Sequence, residues 1–220
     1  MYLAQSNLLK SYGLFLLSLF IMGLGISLVT LAHLGTTPIT SPPYAFSLFL
    51  PISFGMLTML FNLLFVLIEI IMMGKNFPRV QYLQLLVGPI LGIAIDSWSY
   101  LLIHIPQPYY WVQLNMVVIG CVIIAFSTVI QLKAQVVNNP AEGIVKVISY
   151  KTSQEFGKVK LYFDISLVCL AMFISFIVFG SVQGVREGTI ISALIIGPLI
   201  KLFQKQKTSS SISAMRRSKE

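Results

Sequence analysis

Charged residues are scarce in this sequence. Asp, Glu, Lys and Arg make up 10% of its 220 residues, whereas hydrophobic residues make up 56%. A soluble domain carries about 25% charged residues, because polar groups must cover its surface. The composition therefore excludes a water-soluble globule. The apolar residues form long continuous runs, which are typical of membrane-spanning helices and too long for the alternating strands of a membrane barrel.

Cysteines and catalytic motifs are also lacking. Cys121 and Cys169 both lie in apolar runs, where thiols behave as small hydrophobic groups, and their spacing matches no metal site. The sequence has no Walker motif, no dinucleotide-binding glycine pattern and no nucleophile elbow. We therefore predict that the protein is not an enzyme and that it uses no cofactor and no metal.

Six apolar segments are suited to span a membrane, at 12–34, 53–73, 80–104, 111–131, 161–180 and 188–203. The first is longer than the core of a signal peptide and no cleavage site follows it, which indicates a retained span. Fourteen of the fifteen basic residues lie before the first span, between the second and third, between the fourth and fifth, or at and beyond the end of the sixth, where Lys201 is placed at the interface. Only Arg186 lies on the other side. By the positive-inside rule, both termini are predicted to be cytoplasmic.

The same arrangement explains the net charge of +8. Because the basic residues border the spans, we predict the lipid bilayer as a partner and no binding to nucleic acid. Residues 205–220 are polar, basic and rich in Ser, so we predict a disordered cytoplasmic tail held near anionic lipid.

A faint internal duplication runs through the sequence. Thr36-Thr37-Pro38 matches Asn138-Asn139-Pro140, which lies 102 residues later. Further matches with one consistent insertion are Phe54-Gly55 with Phe156-Gly157 and Phe61-Asn62 with Phe163-Asp164, at the offset of 102, and Gly88-Pro89 with Gly197-Pro198, at an offset of 109. Each half holds three spans, an odd number, so the second half would be inverted relative to the first, as in many secondary transporters. The sequence predicts an all-α membrane protein of six transmembrane helices in two inverted three-helix repeats, at 1–109 and 110–204.

Short half-helices are predicted after the first and fourth spans. Thr37 and Asn139 are suitable helix caps, and Pro38 and Pro140 suit the first helical position. If these helices dip into the membrane, their free amide groups and positive dipole ends favour an anionic or carbonyl-bearing ligand. If they lie at the interface, they only shape the fold. The paired Gly-Pro elements at 88–89 and 197–198 are candidate hinges or structural bends.

Several of these residues carry a family resemblance. The run Gly23-Leu24-Gly25-Ile26-Ser27-Leu28, followed by Leu34-Gly35-Thr36-Thr37-Pro38, resembles the amino-terminal signature of the bacterial YczE/YitT/YyaS-type integral membrane proteins. Matching elements further along are Phe54-Gly55, Asn62, Gly188-Thr189 and Gly197-Pro198. The resemblance implies a multi-pass protein of the bacterial cytoplasmic membrane, without a defined activity. Arg79-Val80 stands where the second half has Gly188-Thr189, so the two half-sites would not be equivalent.

Polar residues at membrane depth are candidates for function, since each costs free energy there. Asp96 either couples proton or cation movement or accepts hydrogen bonds near the outer interface. Asn62 either binds ligand or bonds between helices. Its repeat counterpart Asp164 either shares that role or pairs with Lys160 at the surface. Glu69 is expected to face Lys75 or the lipid headgroups.

The leading functional hypothesis is a small-molecule secondary transporter or permease with an unknown substrate. Its candidate ligand-binding residues are Thr36, Thr37, Asn62, Asp96, Asn138 and Asn139, which we expect around one central cavity. One alternative is a substrate-binding membrane subunit of an energised uptake system. Another is a non-transporting scaffold for a cytoplasmic biosynthetic complex, which would have no polar cavity in the membrane. A homo-oligomer or a cytoplasmic partner is compatible with each.

The charge distribution gives a test of topology. A cysteine introduced at position 107 should react with an impermeant maleimide from outside intact cells, and one at position 77 should react only after the inner face is exposed. Reaction of both positions from the same side would contradict the six-span arrangement.

Overall fold

A computed structural model describes the backbone of residues 2–106 and 109–217 and the side chains of residues 9–106 and 109–205. Within these ranges all regular structure is helical. The α-helices are α1 (Tyr2–Leu31), α2 (Ser41–Ser47), α3 (Phe54–Met73), α4 (Gln84–Leu102), α5 (Tyr110–Ala134), α6 (Pro140–Thr152), α7 (Phe156–Phe179) and α8 (Glu187–Arg217). Three short 3-10 segments, Pro38–Thr40, Gly74–Asn76 and Arg79–Leu83, connect α1 to α2 and α3 to α4.

Six helical segments are long and apolar enough to cross a membrane. They are Leu9–Leu31, Phe54–Asn76, Arg79–Leu102, Tyr110–Ala134, Phe156–Phe179 and Glu187–Lys205. The number and order of the predicted spans are confirmed, and the largest shift of a boundary is five residues, at the start of the fifth span. The chain is therefore a multi-pass helical membrane protein in contact with the lipid bilayer.

Two segments outside the spans bear on the sequence-based expectations. The backbone of α8 is helical to Arg217, and no Gly or Pro interrupts this stretch. The disordered tail over 205–220 stays a prediction. The side chains beyond Lys205 and all of residues 218–220 lie outside the described residues. Phe77 is buried, with 7% of its surface exposed, so the exposed neighbour Asn76 is the better labelling position.

Helices α1 and α5 form the centre of the bundle. They approach closely at Gly25 and Gly120: a Cβ atom on Gly25 would lie 2.9 Å from the Gly120 carbonyl oxygen, and one on Gly120 would lie 2.6 Å from Val29 Cγ2. Small residues at such crossings let membrane helices gain van der Waals contact, since lipid supplies little hydrophobic drive for association. Helix α4 packs against α1 on one side of this pair, and α8 packs against α5 on the other.

The two short helices pack in a crossed pattern. Helix α2 contacts α7 and helix α6 contacts α3, so each lies against the half of the chain that does not contain it. One apolar cluster joins them, formed by Ile39, Phe61, Phe65, Ala141, Ile144, Ile148, Phe163 and Leu167. Both short helices predicted from the paired Pro motifs are therefore present, and they hold the halves together.

The start of α6 lies deep in the bundle. The Asn139 side-chain nitrogen is 4.0 Å from Met22 Sδ, and Met22 lies near the middle of the first span. The segment after α1 also turns back, because Thr36 Oγ1 lies 2.9 Å from Thr30 Oγ1, one residue before the end of α1. The start of α6 thus packs against the middle of α1, and the segment after α1 packs against the end of that helix.

Helices α3 and α4 are in close contact, whereas α7 and α8 are not packed along one another in the described residues. A Cβ atom on Gly55 would clash with the Gly92 carbonyl oxygen and with Asp96. Gly157 and Gly197, at the predicted repeat positions of Gly55 and Gly88, have no such neighbours among the described residues. Only Glu155 Oε1, at 3.8 Å, comes near a Cβ on Gly157, and nothing lies within 4 Å of one on Gly197. The repeat-related helix pairs are thus closed in one half and apart in the other.

This difference predicts opposite effects of the same substitution. Gly55→Ala should destabilise the protein by about 1–3 kcal/mol, because the methyl group overpacks the α3–α4 contact. Gly157→Ala should be neutral or slightly stabilising, because alanine favours helix over glycine and meets open space. Thermal unfolding of the two purified variants in one detergent measures the difference. Equal melting temperatures would contradict the assigned α3–α4 packing.

Candidate functional site

A cavity of about 320 Å³ lies between the two half-helices and the long helices. Such a volume accommodates a small metabolite. Thr37 and Pro38 line it from the first half-helix segment, and Asn139 lines it from the second. Asn62 lies on its wall, with its side-chain nitrogen donating to the Thr58 carbonyl oxygen at 2.8 Å. Three of the six predicted ligand-binding residues therefore meet at this cavity.

Much of the lining consists of pairs at the same repeat position. Six pairs differ by 102 in residue number and the seventh by 109: Met22 and Ile124, Ile26 and Thr128, Thr37 and Asn139, Thr40 and Glu142, Thr58 and Lys160, Asn62 and Asp164, and Leu91 and Ile200. These offsets are the ones that align the proline and glycine motifs in the sequence. Corresponding positions of the two halves thus face the same space.

The two halves contribute different chemistry to the wall. At three of these positions the first half has Thr40, Thr58 and Asn62, which are neutral. The second half has Glu142, Lys160 and Asp164, respectively, at the corresponding positions. At these three positions the first half of the chain therefore offers hydroxyl and amide groups, and the second half offers charged groups.

The charged wall contains an ion pair. Lys160 Nζ donates to both carboxylate oxygens of Asp164, at 2.6 and 2.7 Å, and both side chains are about one quarter exposed. The predicted pairing of these residues is confirmed, although the pair lies on the cavity. Glu142, in the first turn of α6, is half-buried; burial raises the pKa of its carboxyl group, against the opposing effect of Lys160 and Lys146.

Thr36 supports the cavity but does not line it. It is fully buried, and its hydroxyl group lies 2.9 Å from Thr30 Oγ1 and 2.8 Å from Thr40 Oγ1. Thr40 Oγ1 is in turn 2.7 Å from Thr37 Oγ1. The Thr36 amide donates to Thr189 Oγ1 at 3.2 Å. This chain of hydroxyl groups fixes the first half-helix to α1 and α8 and leaves Thr37 at the cavity.

Asn138 and Asn139 are adjacent in the chain, but only Asn139 lines the central cavity. The Asn139 side chain caps α6 by accepting from the Ala141 amide at 3.3 Å. Asn138 instead lines two crevices of about 310 and 410 Å³ at the end of the bundle that carries most basic residues. Its side-chain oxygen accepts a hydrogen bond from Lys146 Nζ, and its amide lies 3.5 Å from Gln81 Oε1.

Asp96 is not on the cavity. Its Oδ1 accepts from the Gly55 amide at 2.8 Å and its Oδ2 from the Ser53 hydroxyl group at 2.5 Å. Ser53 is the N-cap of α3 and accepts from the Met56 amide at 3.2 Å. Asp96 thus completes the cap of α3 from the neighbouring helix α4, which is the outer-interface alternative for this residue. A serine directly before Phe54-Gly55 is a capping signal that could have suggested this role.

The contacts of two further charged residues, Glu69 and Arg186, are also defined. Glu69 does not face Lys75 or the headgroups: it is 3% exposed and packs against Gly143 of α6. Arg186 forms the neighbouring pair with Glu187, Nε to Oε2 at 3.3 Å, and its Nη1 donates to the His33 carbonyl oxygen at 3.1 Å.

The Gly-Pro elements lie at different distances from neighbouring atoms. A Cβ on Gly88 would be 3.1 Å from Asn62 Cβ, so α4 passes close to α3 there. Gly197 lines the cavity in open space. Pro89 and Pro198 both lie inside their helices, where each removes a backbone donor and permits a bend.

A bundle of six apolar spans with two short helices packed between them defines the class: a multi-pass helical membrane protein. The chain belongs to a family of unknown function, DUF6198, whose model matches residues 9–205. No curated protein and no solved structure matches the chain. The resemblance to the YczE/YitT/YyaS-type proteins stays a prediction.

The position of Asp96 predicts a stabilising role for its carboxylate. Asp96→Ala should lower stability by about 0.5–2 kcal/mol, because the start of α3 loses a cap, and Asp96→Asn should cost less because its amide oxygen can still accept from Gly55. Thermal unfolding in detergent measures both. A wild-type melting temperature for Asp96→Ala would exclude the capping role.

Proposed function

We propose that the protein is a small-molecule secondary transporter or permease of the bacterial cytoplasmic membrane, with both termini cytoplasmic. The observation that carries this proposal is the central cavity lined by seven repeat-related pairs. In transporters built from inverted repeats, substrate sites lie near the middle of the membrane, where the repeats meet. A site with these features also needs polar groups inside the membrane, and this cavity has them.

The helix contacts support an inverted repeat. The α1–α4 contact corresponds to α5–α8, α2–α7 corresponds to α6–α3, and α2–α3 corresponds to α6–α7. Within the shared apolar cluster, Ile39, Phe61 and Phe65 correspond to Ala141, Phe163 and Leu167 at the offset of 102. A two-fold axis through this cluster would exchange the two halves.

Among the main helix contacts of the described residues, α3–α4 lacks a counterpart, and this difference suggests how access would alternate. The α3–α4 pair is closed at Gly55 and Gly92, whereas α7 and α8 diverge beside the cavity at Gly157 and Gly197. Exchange of the closed and open arrangements between the halves would expose the cavity to the other side. Lys201 stands at the repeat position of Gly92, so the α7–α8 pair would close less tightly.

The alternatives differ in what they leave unexplained. A substrate-binding subunit of an energised uptake system would use the same cavity, and it differs in needing a partner for flux. A scaffold for a biosynthetic complex has no use for charged and amide groups around a cavity between the spans, where such groups cost free energy. The cavity therefore favours the two ligand-binding functions.

A ligand screen tests the proposal. A metabolite that binds the cavity should raise the melting temperature of the purified protein. At one hundred times its Kd, it should add about 2.7 kcal/mol to the free energy of unfolding. Asn62→Leu should abolish the shift, because it removes the amide group from the wall. Asn115→Leu, at an exposed position on α5 outside the cavity, is the matched control and should keep it.

Flux then separates the remaining functions. A transporter should move the identified ligand when reconstituted alone in proteoliposomes, and a subunit should bind it without flux. If no ligand in a broad metabolite panel stabilises the wild type, or if Asn62→Leu keeps the full shift, the cavity is not the binding site.

A further inference from the structure

Glu69 is a buried carboxyl group that the cavity described above does not use. It lies in α3 with 3% of its surface exposed, and its Oε2 atom has no hydrogen-bond partner in the described part of the chain. Gly143 of α6 packs directly on this oxygen, because a Cβ atom there would clash with it. An isolated carboxylate in such a position is costly unless a donor or a proton satisfies it.

A second buried acceptor lies beside it. Gln84 of α4 is 0% exposed, and its side chain is close enough to the Glu69 carboxyl group to form a hydrogen bond. Its Oε1 atom also has no partner among the described residues, and its Nε2 donates to Gln81 Oε1 at 2.5 Å. One proton on Glu69 Oε2, donated to Gln84 Oε1, would satisfy both acceptors. A metal ion would need space and several oxygen ligands, whereas Gly143 closes this side.

The fold does not need a carboxyl group at this position. At the offset of 102, Glu69 corresponds to Ala171 and Gly143 corresponds to Ser41. Ala171 is 0% exposed and Ser41 is 1% exposed, so small side chains fill the equivalent place in the other half. A buried carboxyl group in one half only, opposite a glycine that admits it, indicates a function rather than packing.

We propose that Glu69 is a reversible proton-binding site whose protonation sets the position of the half-helix α6. The proposal rests on the transport function proposed above, for which it names the proton as the coupling ion. In the protonated state, Glu69 donates to Gln84, Gln84 donates to Gln81, and Gln81 Oε1 accepts from the Asn138 amide. The three side chains thus link the proton to the residue that leads into α6.

Loss of the proton reverses this chain of hydrogen bonds. The Glu69 carboxylate then accepts from Gln84 Nε2, and Gln84 Oε1 needs a donor, which Gln81 supplies by turning its own amide group. Gln81 no longer accepts from Asn138, so the segment before α6 loses this contact. Since α6 carries Asn139 and Glu142 into the central cavity, protonation and the cavity are coupled.

The proton has a path to water. Glu69 borders the crevice of about 410 Å³ at the basic end of the bundle. The charged and titratable groups that line this crevice with Glu69 are Lys146, Tyr150 and Lys151, all from α6. From α4, the neutral side-chain amide of Gln84 lies beside the Glu69 carboxyl group. Lys146 lines the same crevice, so a positive charge is at hand for the ionised carboxylate. The proton would pass between Glu69 Oε2 and water in this crevice when Gly143 of α6 moves away from the carboxyl group.

Infrared difference spectroscopy tests the proton site without a substrate. In wild-type protein in liposomes, a protonated carboxyl band should disappear as pH rises, falling about tenfold per pH unit above the midpoint of titration. Glu69→Gln should lack this band, and Asp96→Asn, which removes an acidic group elsewhere, should keep it. If Glu69→Gln does not fold, Glu69→Ala, with the residue found at the repeat position, replaces it. A wild type without the band, or a variant at Glu69 that keeps it, overturns the proposal.

Hydrogen exchange tests the link to α6. Wild type and Glu69→Gln, whose amide group imitates the protonated acid, should exchange equally at low pH in peptides covering residues 135–152. At high pH the wild type should exchange faster than the variant, and comparison at equal pH cancels the intrinsic pH dependence of exchange. Equal exchange at all pH values would overturn the coupling to α6. Neither measurement needs flux, so the proton site and transport can fail separately. If both measurements are positive but no ligand moves in the proteoliposome assay, transport is refuted and the proton site stands.

Discussion

A helix that begins inside a bundle of apolar helices exposes backbone amide groups that need partners from nearby side chains, and the packing of this protein meets that constraint. Helix α6 begins near the middle of the first span, and its first amides meet the Asn139 side chain. Helix α3 begins under a two-residue cap, with Asp96 supplied by a different helix. The chain of hydroxyl groups from Thr30 through Thr36 and Thr40 to Thr37 ties the first half-helix to α1. The first task of these polar residues is thus to hold the starts of helices in place.

Small residues set how closely the helices approach. Glycines at the α1–α5 and α3–α4 crossings bring backbones into contact, which gains dispersion energy that larger side chains would prevent. The absence of such contact at Gly157 and Gly197 leaves room beside the cavity. The same residue type therefore closes one helix pair and leaves open space at the related pair. Which of the two happens depends on the neighbouring helix.

The acidic and basic groups on the cavity wall lie beside groups of favourable charge. Lys160 pairs with Asp164 on the cavity wall, and Glu142 lies in the first turn of α6, where the helix dipole favours an acidic group. Glu69 differs from them, since its Oε2 atom has no hydrogen-bond partner among the described residues. Its neighbour Gln84 has the same deficit, which is why a shared proton accounts for both.

The sequence by itself determined the features that depend on local pattern. Apolar run length gave the six spans, the Pro motifs at 38 and 140 gave the half-helices, and a spacing of four residues gave the Lys160–Asp164 pair. The repeat offset, read from the same motifs, also anticipated that Thr37, Asn62 and Asn139 share a cavity. Such features need only periodicity, capping and spacing along one helix, so they can be predicted without a fold.

Only the tertiary structure decided which distant groups meet. Asp96 contacts Ser53, 43 residues away, and so caps a helix instead of lining the cavity. Glu69 lies under Gly143 because α6 crosses α3, and Asn138 turns towards the basic end while Asn139 turns towards the cavity. These outcomes depend on how helices from different halves cross, which in lipid is set by close packing of small residues and by hydrogen bonds between helices, neither of which hydrophobic periodicity records.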